Sequence, residues 1–412
     1  MKGMLIDLAP LRASRPFRRL WFGQVVSTFG GQLAFVAVMF QVWDQTKSSA
    51  WTGAVGLAQA LPLIVLGLFA GAAVDRFERR RFYLLTTAGQ LITSALMASQ
   101  LVIGSVPVGV LLGLVAAQAA FGAASGPAAR SILPQLLPRE LLAGGIALNR
   151  IAFQGAMLIG PAAGGLIVGA WGPGTAYLID AITFTAALYG VLGLPVLRVE
   201  GEVRPGLRGV VDGLAFVVST PVIRGALITD LAVTVLSMPV SLFPALNAER
   251  FGGDPRTLGL FLTSIAVGGV VASVLSGSFT RLPRPGVVML IGAGSWGIAL
   301  ALFAFAPVPW IALAFLAVAG AADTVSVVAR STIVQLHTPN ELLGRVAAAE
   351  QIVGSAGPNL GNVRGGITAE LTSPFTALLS GAVLCVAAVI TVATTTPGLR
   401  QSVIPERTST PS

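Results

Sequence analysis

Long runs of apolar residues alternate with short polar connections along the whole chain. Each run is about 20 residues long, the length that an α-helix needs to cross roughly 30 Å of hydrocarbon. Glycine and proline occur in several connections, such as GSVP at 104–107 and WGPG at 171–174, and favour tight turns between helices. We therefore predict twelve transmembrane helices, spans 1–12, at residues 18–42, 51–74, 82–104, 107–128, 146–170, 174–197, 222–246, 257–280, 285–306, 309–330, 346–370 and 374–396. A transmembrane β-barrel would instead show stretches of about ten residues with alternating hydrophobicity.

The composition agrees with an all-α membrane protein. Hydrophobic residues make up 54% of the chain and charged residues only 10%, whereas about 25% charged residues is usual in soluble proteins. The mean hydropathy is +0.83. The single cysteine, Cys385, lies in span 12 and has no partner for an internal disulfide, so we predict that it is a packing residue.

Positive charges are distributed unequally between the two ends of the predicted helices. Lys47, Arg250 and Arg256 lie in connections that follow odd-numbered spans. The other lysines and arginines lie in the termini or beside even-numbered connections, apart from Arg364 inside span 11. Because positive residues are retained on the cytoplasmic side, we predict a multi-pass protein of the cytoplasmic (inner) membrane with both termini cytoplasmic. The net charge of +9 then indicates attraction to anionic lipid headgroups and not binding of nucleic acid.

One phrase occurs twice in the chain. RSILPQLLPRELLAG begins at Arg130, after span 4, and RSTIVQLHTPNELLG begins at Arg330, at the end of span 10. GPAAGG at 160–165 and GPNLGN at 357–362 form a second pair, in spans 5 and 11. The repeat predicts two pseudo-symmetric six-helix halves in parallel orientation, as in one large class of transporters. The predicted domains are a half at 1–197, a cytoplasmic linker at 198–221, a half at 222–396 and a cytoplasmic tail at 397–412.

The linker contains apolar residues at helical spacing. They are Leu207, Val210, Val211, Leu214 and Val217. This pattern predicts an amphipathic helix lying on the inner membrane surface, and a plain linker is the alternative.

Small and polar residues divide the spans into recurring types. Small residues four apart, which let helix backbones approach closely, occur in spans 2, 5, 8 and 11. Polar residues share one face of spans 1, 7 and 10 and, more weakly, of span 4. Since polar groups facing lipid are costly, we expect these faces to line a wet cavity or a helix interface. The candidate cavity-lining residues are Gln24, Thr28, Gln32, Gln118, Thr234 and Ser237. Two halves around such a cavity predict rocking between outward-open and inward-open states.

GAAVDRFERRR at 71–81, between spans 2 and 3, resembles the G-x-x-x-D-R-x-G-R-R motif of the major facilitator superfamily. The matching residues are Gly71, Asp75, Arg76, Arg79 and Arg80. Glu78 stands where the family usually has glycine, and the second-half version, GSFTRLPRPG from Gly277, lacks the aspartate. The resemblance implies the major facilitator fold and a cytoplasmic charge gate that holds the two halves closed. We expect this gate to be asymmetric.

IGPAAGG, which begins at Ile159, resembles the fifth-helix motif of proton-coupled exporters in the same superfamily. The matching residues are Gly160, Pro161, Gly164 and Gly165, and close helix packing is the alternative explanation for them. LFPAL at 242–246 and ELLGRV at 341–346 are most similar to the enterobactin-exporter branch, which includes siderophore and drug exporters. The resemblance implies export of a small drug-like molecule or siderophore by proton antiport, with the proton gradient as energy source and no cofactor.

Acidic residues inside the predicted membrane region are candidates for proton coupling, because such groups are costly in hydrocarbon and mark functional sites. Asp230 in span 7 is a coupling or substrate residue, or one half of a fixed ion pair. Asp323 in span 10 either titrates or pairs permanently with Arg330. Asp180 in span 6 either couples or is a structural acid hydrogen-bonded between helices.

Two further basic residues have competing interpretations. Arg364 in span 11 either attracts an anionic substrate or pairs with Glu370. His337, in the second copy of the repeated phrase, is either a solvated loop residue or a pH sensor.

The sequence contains no pattern typical of an enzyme. Neither Lys2 nor Lys47 completes a G-x-x-x-x-G-K-[ST] phosphate-binding loop, and one histidine with one cysteine cannot form a metal cluster. We therefore expect a monomeric transporter whose partners are a small-molecule substrate, protons and the lipid bilayer. An importer or uncoupled facilitator of a small metabolite is the first alternative, and a non-transporting receptor or assembly factor on the same scaffold is the second.

Overall fold

The computed structural model describes residues 7–74, 78–195 and 207–403, which are helical apart from short connections. A helix lies at each of the twelve predicted spans. These helices are α1 (Arg15–Thr46), α2 (Ser49–Val74), α3 (Arg79–Ala98), α4 (Val108–Leu136), α5 (Arg139–Trp171), α6 (Pro173–Leu192), α7 (Pro221–Leu231), α8 (Pro255–Val274), α9 (Pro285–Ala304), α10 (Pro309–His337), α11 (Leu343–Leu371) and α12 (Pro374–Thr395). Shorter helices lie at Ala9–Ala13, Gln100–Ile103, Leu207–Ser219, Phe243–Arg250, Ser276–Phe279 and Pro397–Gln401.

Ten helical segments among the described residues are long and apolar enough to cross a membrane. Helices α3 and α11 are not among them, because α3 begins with three arginines and α11 carries charged and amide side chains. The predicted all-α membrane fold is confirmed, and the count of twelve crossings stays a prediction.

The two copies of the repeated phrase form elbows between long helices. α4 ends at Leu136 and α5 begins at Arg139, while α10 ends at His337 and α11 begins at Leu343. α4 and α10 thus continue beyond the predicted ends at 128 and 330. Hydropathy marks where a helix is apolar, whereas the backbone hydrogen-bond ladder continues through the polar residues that follow.

Span 7 is not the continuous helix that the sequence predicted. After α7, a π-helical turn occupies Ala232–Leu236, and a short 3₁₀ turn at Val240–Leu242 precedes the helix Phe243–Arg250. Pro239 lies at the break and has no N–H to continue the ladder.

The chain divides into two compact units. The first contains the chain up to Leu207 together with Val240–Thr263, and the second contains Arg208–Pro239 and the chain from Ser264 onward. Within span 7 the boundary directly follows Pro239. The four-part division at 1–197, 198–221, 222–396 and 397–412 stays a prediction.

Close helix contacts in the first unit centre on α1. A Cβ on Gly23 would lie 2.8 Å from the carbonyl oxygen of Ala186 in α6, and Gly164 of α5 lies against Leu33. One hydrophobic core of this unit collects near the start of α1 and contains Phe17, Leu20, Tyr83, Ala128, Ile132, Leu136, Leu137, Leu148, Val191 and Leu194.

In the second unit, α9 packs against α10 and α12. Gly292 of α9 lies against the backbone of Ser326, with 3.0 Å between an added Cβ and the Ser326 nitrogen, and Gly297 lies against Ala382. The buried side chains of α9 include Met289, Trp296, Leu300 and Phe303, which make this helix part of the core of its unit.

The linker helix Leu207–Ser219 packs on the second elbow. Gly213 lies against the backbone of Arg345, and Val217 belongs to a buried cluster with Val334 and Val346. Leu214 is exposed on another side of the helix. The part of the predicted linker at 198–206 lies outside the described residues.

Candidate functional site

A cluster of charged side chains lies in the second unit, where α7, α10 and α11 approach one another. Arg330 Nη1 donates a hydrogen bond to Asp230 Oδ2 at 3.0 Å and lies 3.9 Å from Glu350 Oε1. The three side chains are largely buried, with exposed fractions of 11% for Arg330, 9% for Asp230 and 19% for Glu350. One arginine therefore faces carboxylates on two other helices.

Asp323 adds a third carboxyl group to this charged cluster. It lies on α10, two turns before Arg330, and the charges of Asp230 and Arg330 act on it. Glu350 Oε1 and Arg330 Nε are buried and have no hydrogen-bond partner among the described residues. The guanidinium is thus shared between carboxyl groups and is not engaged in a bidentate pair with one of them.

The structure brings together three residues that the sequence nominated, Asp230, Asp323 and Arg330, but it pairs them differently. Arg330 pairs with Asp230 on α7, and among the described residues Asp323 makes no ion pair with it within 4.0 Å. Glu350 was missed because it lies only a few residues inside predicted span 11, where acidic residues near the membrane surface are common.

Asp180 belongs to a separate polar group in the first unit. It is fully buried, and its Oδ2 accepts hydrogen bonds from Ser94 Oγ at 2.6 Å and from Gln118 Nε2 at 3.2 Å. These bonds join α3, α4 and α6, as expected of a structural acid, whereas Asp180 Oδ1 is buried without a hydrogen-bond partner among the described residues. A coupling role for Asp180 stays a prediction.

Several other nominated polar residues lie at helix interfaces. Gln24 Nε2 donates to the Tyr83 hydroxyl at 2.9 Å, and Thr28 Oγ1 donates to the backbone oxygen of Gln24 at 2.7 Å. Gln32 lies against Gly160 of α5. Whether Gln24, Thr28 and Gln32 also line a cavity stays a prediction.

The nominated residues of span 7 lie beside its π-helical turn. Thr234 Oγ1 donates to the backbone oxygen of Asp230 at 2.8 Å. Ser237 is buried, and its hydroxyl accepts a hydrogen bond from Trp296 Nε1 at 2.9 Å.

The predicted charge gate is only partly described. Asp75 and Arg76 lie outside the described residues, and of Gly71 only the helical backbone is described. Arg79 is buried at the start of α3, and Arg80 Nη2 donates to the backbone oxygen of Leu192 at 3.0 Å. A gating role for these residues stays a prediction.

The fifth-helix motif makes close contacts on two sides of α5. Gly160 and Gly164 lie against α1, while Gly165 and Pro161 lie against the start of α8 at Gly259. These contacts are close helix packing, and an exporter-specific role for the same residues stays a prediction.

Arg364 and His337 lie away from the charged cluster. Arg364 is half-buried on α11, its Nε has no hydrogen-bond partner, and no carboxylate lies within 4.0 Å of its guanidinium among the described residues. A pair between Arg364 and Glu370 is therefore absent there. His337 Nδ1 lies 2.9 Å from the backbone oxygen of Ile333, at the end of α10.

The sequence and the helical fold are both similar to those of known proteins. The major facilitator family model described as "Transmembrane secretion effector" matches residues 6–408. The chain belongs to this family of the major facilitator superfamily. The protein is therefore a multi-pass membrane transporter of small molecules and not an enzyme.

Relatives of this major facilitator protein include two named transporters. "Multidrug efflux pump Tap" of Mycolicibacterium fortuitum is 29% identical over 370 residues, which cover 86% of this chain and 89% of the relative. "Enterobactin exporter EntS" of Salmonella typhimurium is 28% identical over 389 residues, which cover 92% of this chain and 91% of the relative.

Solved major facilitator structures share the fold. The nucleoside transporter NupG has a TM-score of 0.73 at 13% identity, covering 93% of this chain and 99% of that one. A bacterial homologue of the lysosomal transporter Spinster, in an inward-facing conformation, has a TM-score of 0.70 at 16% identity, covering 96% of this chain and 98% of that one. At such identities the likeness concerns the fold alone.

Proposed function

We propose that this major facilitator protein exports a small drug-like molecule or siderophore across the cytoplasmic membrane by proton antiport with alternating access. Similarity to an efflux pump and an enterobactin exporter over most of the chain supports export. Import or uncoupled passage of a small metabolite is the less favoured alternative.

The observation that carries the proton-coupling proposal is the sharing of Arg330. Three carboxyl groups, those of Asp230, Asp323 and Glu350, lie near one guanidinium. A single arginine neutralises only one of them, and uncompensated charge is costly at a membrane-embedded site. A bound proton neutralises a second carboxylate, so binding and release of this proton depend on how the side chains of the cluster are arranged.

The distances also suggest how a proton changes the contacts between helices. Protonation of Asp230 removes the negative charge that holds Arg330 at 3.0 Å, and Glu350, at 3.9 Å, becomes the alternative counter-ion. Arg330 then exchanges a contact with α7 for a contact with α11. Such a two-state element is what a proton must bias in order to drive transport.

The proposed function is tested by cargo accumulation. Metabolites and a panel of toxic compounds are measured in a deletion strain, in the wild type and in cells that overexpress the protein. We expect expression to lower accumulation of at least one compound, and we expect a protonophore to abolish that effect. Reduced accumulation that persists in the presence of the protonophore indicates uncoupled passage. Increased accumulation on expression indicates import, and unchanged accumulation of every compound indicates a non-transporting role.

The role of Glu350 is tested with a matched pair of substitutions. We expect Glu350→Gln to reduce proton-driven efflux at least about tenfold, because Arg330 then has no second carboxylate to move to. The control is Glu341→Gln, which changes an exposed acid just before the same helix and leaves efflux unchanged. Normal efflux in a correctly folded Glu350→Gln protein would exclude Glu350 from coupling.

A further inference from the structure

We infer that Arg364 and the interrupted part of span 7 form a binding site for an organic anion, so that the cargo carries a carboxylate or a comparable anionic group. The inference rests on the proposed export function, because it names the chemical class of the cargo. Its site lies entirely within the second unit.

One face of α11 positions Arg364. Glu350, Gly357, Gly361 and Arg364 follow one another at spacings of seven, four and three residues, which places them on one side of a helix. A Cβ on Gly357 would lie 2.6 Å from Thr234 Oγ1, and Gly361 packs on the backbone oxygen of Thr234. This face is therefore turned toward span 7, and Arg364 continues it to the place where span 7 is interrupted.

The interrupted part of span 7 lies beside the Arg364 guanidinium. Leu236 is the last residue of the π-helical turn, and Pro239 supplies no N–H to the ladder. Gly381 of α12 faces the same place, where an added Cβ would lie 2.6 Å from Arg364 Nη2 and would collide with the Leu236 carbonyl oxygen. π-Helical turns inside α-helices are frequent at functional sites.

Among the residues that the structure describes, no carboxylate pairs with the Arg364 charge. A guanidinium stays charged in proteins and presents five N–H donors, yet Arg364 Nε is buried without a hydrogen-bond partner. No carboxylate lies within 4.0 Å of it among the described residues, whereas Arg330 has Asp230 at 3.0 Å. Because an uncompensated cation in a membrane is costly, an anionic ligand is the partner that the site lacks. The planar fork of donors suits a carboxylate.

The anion site and the charged cluster are separate. Arg364 follows Glu350 by 14 residues on the same helix face, about 21 Å along the axis. Cargo and proton therefore do not compete for the same carboxylate. The contact that Gly357 and Gly361 of α11 make with the π-helical turn of span 7 lies between the two sites and links them.

The test compares two xanthene dyes of similar shape: the anion fluorescein, whose binding we expect to depend on Arg364, and the cation rhodamine 6G, whose binding we expect not to depend on it. Their binding to the full-length protein in phosphatidylcholine nanodiscs is measured by fluorescence polarisation. We expect Arg364→Gln to weaken fluorescein binding by at least about tenfold and Arg364→Lys to weaken it less, because lysine keeps the charge but loses the fork. The matched control is Arg224→Gln, which removes an exposed arginine from the first turn of α7 and leaves fluorescein binding unchanged.

A second measurement needs no variant. We expect benzoate to displace fluorescein from the wild-type protein and benzamide, its neutral counterpart, not to displace it. Absence of fluorescein binding to the wild type, equal displacement by both compounds, or full binding by a folded Arg364→Gln protein would each overturn the inference.

The outcomes separate this inference from the proposed function. If the protein exports only neutral or cationic compounds, and Arg364→Gln does not change this proton-driven efflux, the exporter function is supported and the anion site is wrong. If fluorescein binding depends on Arg364 but the protein transports no compound in the accumulation experiment, the anion site is supported and the export function is wrong.

Discussion

Arg330 Nη1 donates a hydrogen bond to Asp230 Oδ2, while Glu350 Oε1, at 3.9 Å, lies just beyond hydrogen-bonding distance. At the scale of single residues, this is an ion pair with a second carboxylate acceptor, that of Glu350, close by. Asp180, by contrast, accepts hydrogen bonds at Oδ2 from the neutral side chains of Ser94 and Gln118. The first arrangement is suited to rearrangement and the second to holding helices together.

The pairing between Asp230 and Arg330 predicts a pattern of stability in variants. Asp230→Asn removes the nearest counter-ion of Arg330 and leaves only the more distant Glu350, so we expect it to cost about 1.5–3 kcal/mol of unfolding free energy, the range for a hydrogen bond to a charged group. The double variant Asp230→Asn with Arg330→Gln removes both charges, so we expect it to be more stable than either single variant. Thermal unfolding of the purified proteins measures the difference. Additive losses in the double variant would show that the two residues are not coupled.

At the scale of helices, glycines decide which faces meet. Gly160 and Gly164 bring α5 against α1 in the first unit, and Gly357 and Gly361 bring α11 against span 7 in the second. Both pairs join a helix rich in small residues to a helix with a polar face. The repeated pattern in the sequence thus corresponds to a repeated contact in the structure.

The glycine contact of α11 predicts a contrast within one helix. A Cβ on Gly361 would collide with the Thr234 carbonyl oxygen, whereas Gly354 has nothing within 4 Å of its Cβ position. We expect Gly361→Ala to destabilise the protein by about 1–3 kcal/mol because backbone must shift. We expect Gly354→Ala to be neutral or slightly stabilising, since alanine is the better helix former. Equal melting temperatures for the two variants would contradict the close contact.

At the scale of the whole molecule, the distribution of positive charge predicts orientation in the membrane. Gln45 precedes the first connection and Gln401 follows α12, and both are exposed. We expect a membrane-impermeant maleimide to label Gln45→Cys in cells whose inner membrane is intact, and Gln401→Cys only after that membrane is permeabilised. The unsubstituted protein is the control, because its single cysteine, Cys385, is buried. Labelling in the opposite order would reverse the topology.

The sequence by itself determined the helical membrane fold, the family and the order of the helices, because an apolar run of sufficient length has few alternatives to a helix in a bilayer. It also nominated Asp230, Asp323 and Arg330, since charges inside apolar runs are conspicuous. Only the tertiary structure decided that Arg330 pairs with Asp230 across 100 positions of chain and that Glu350 joins them. It also showed the break in span 7 beside Arg364. Hydropathy reports the medium around each helix, whereas pairing and interruption depend on which helix faces are turned toward each other.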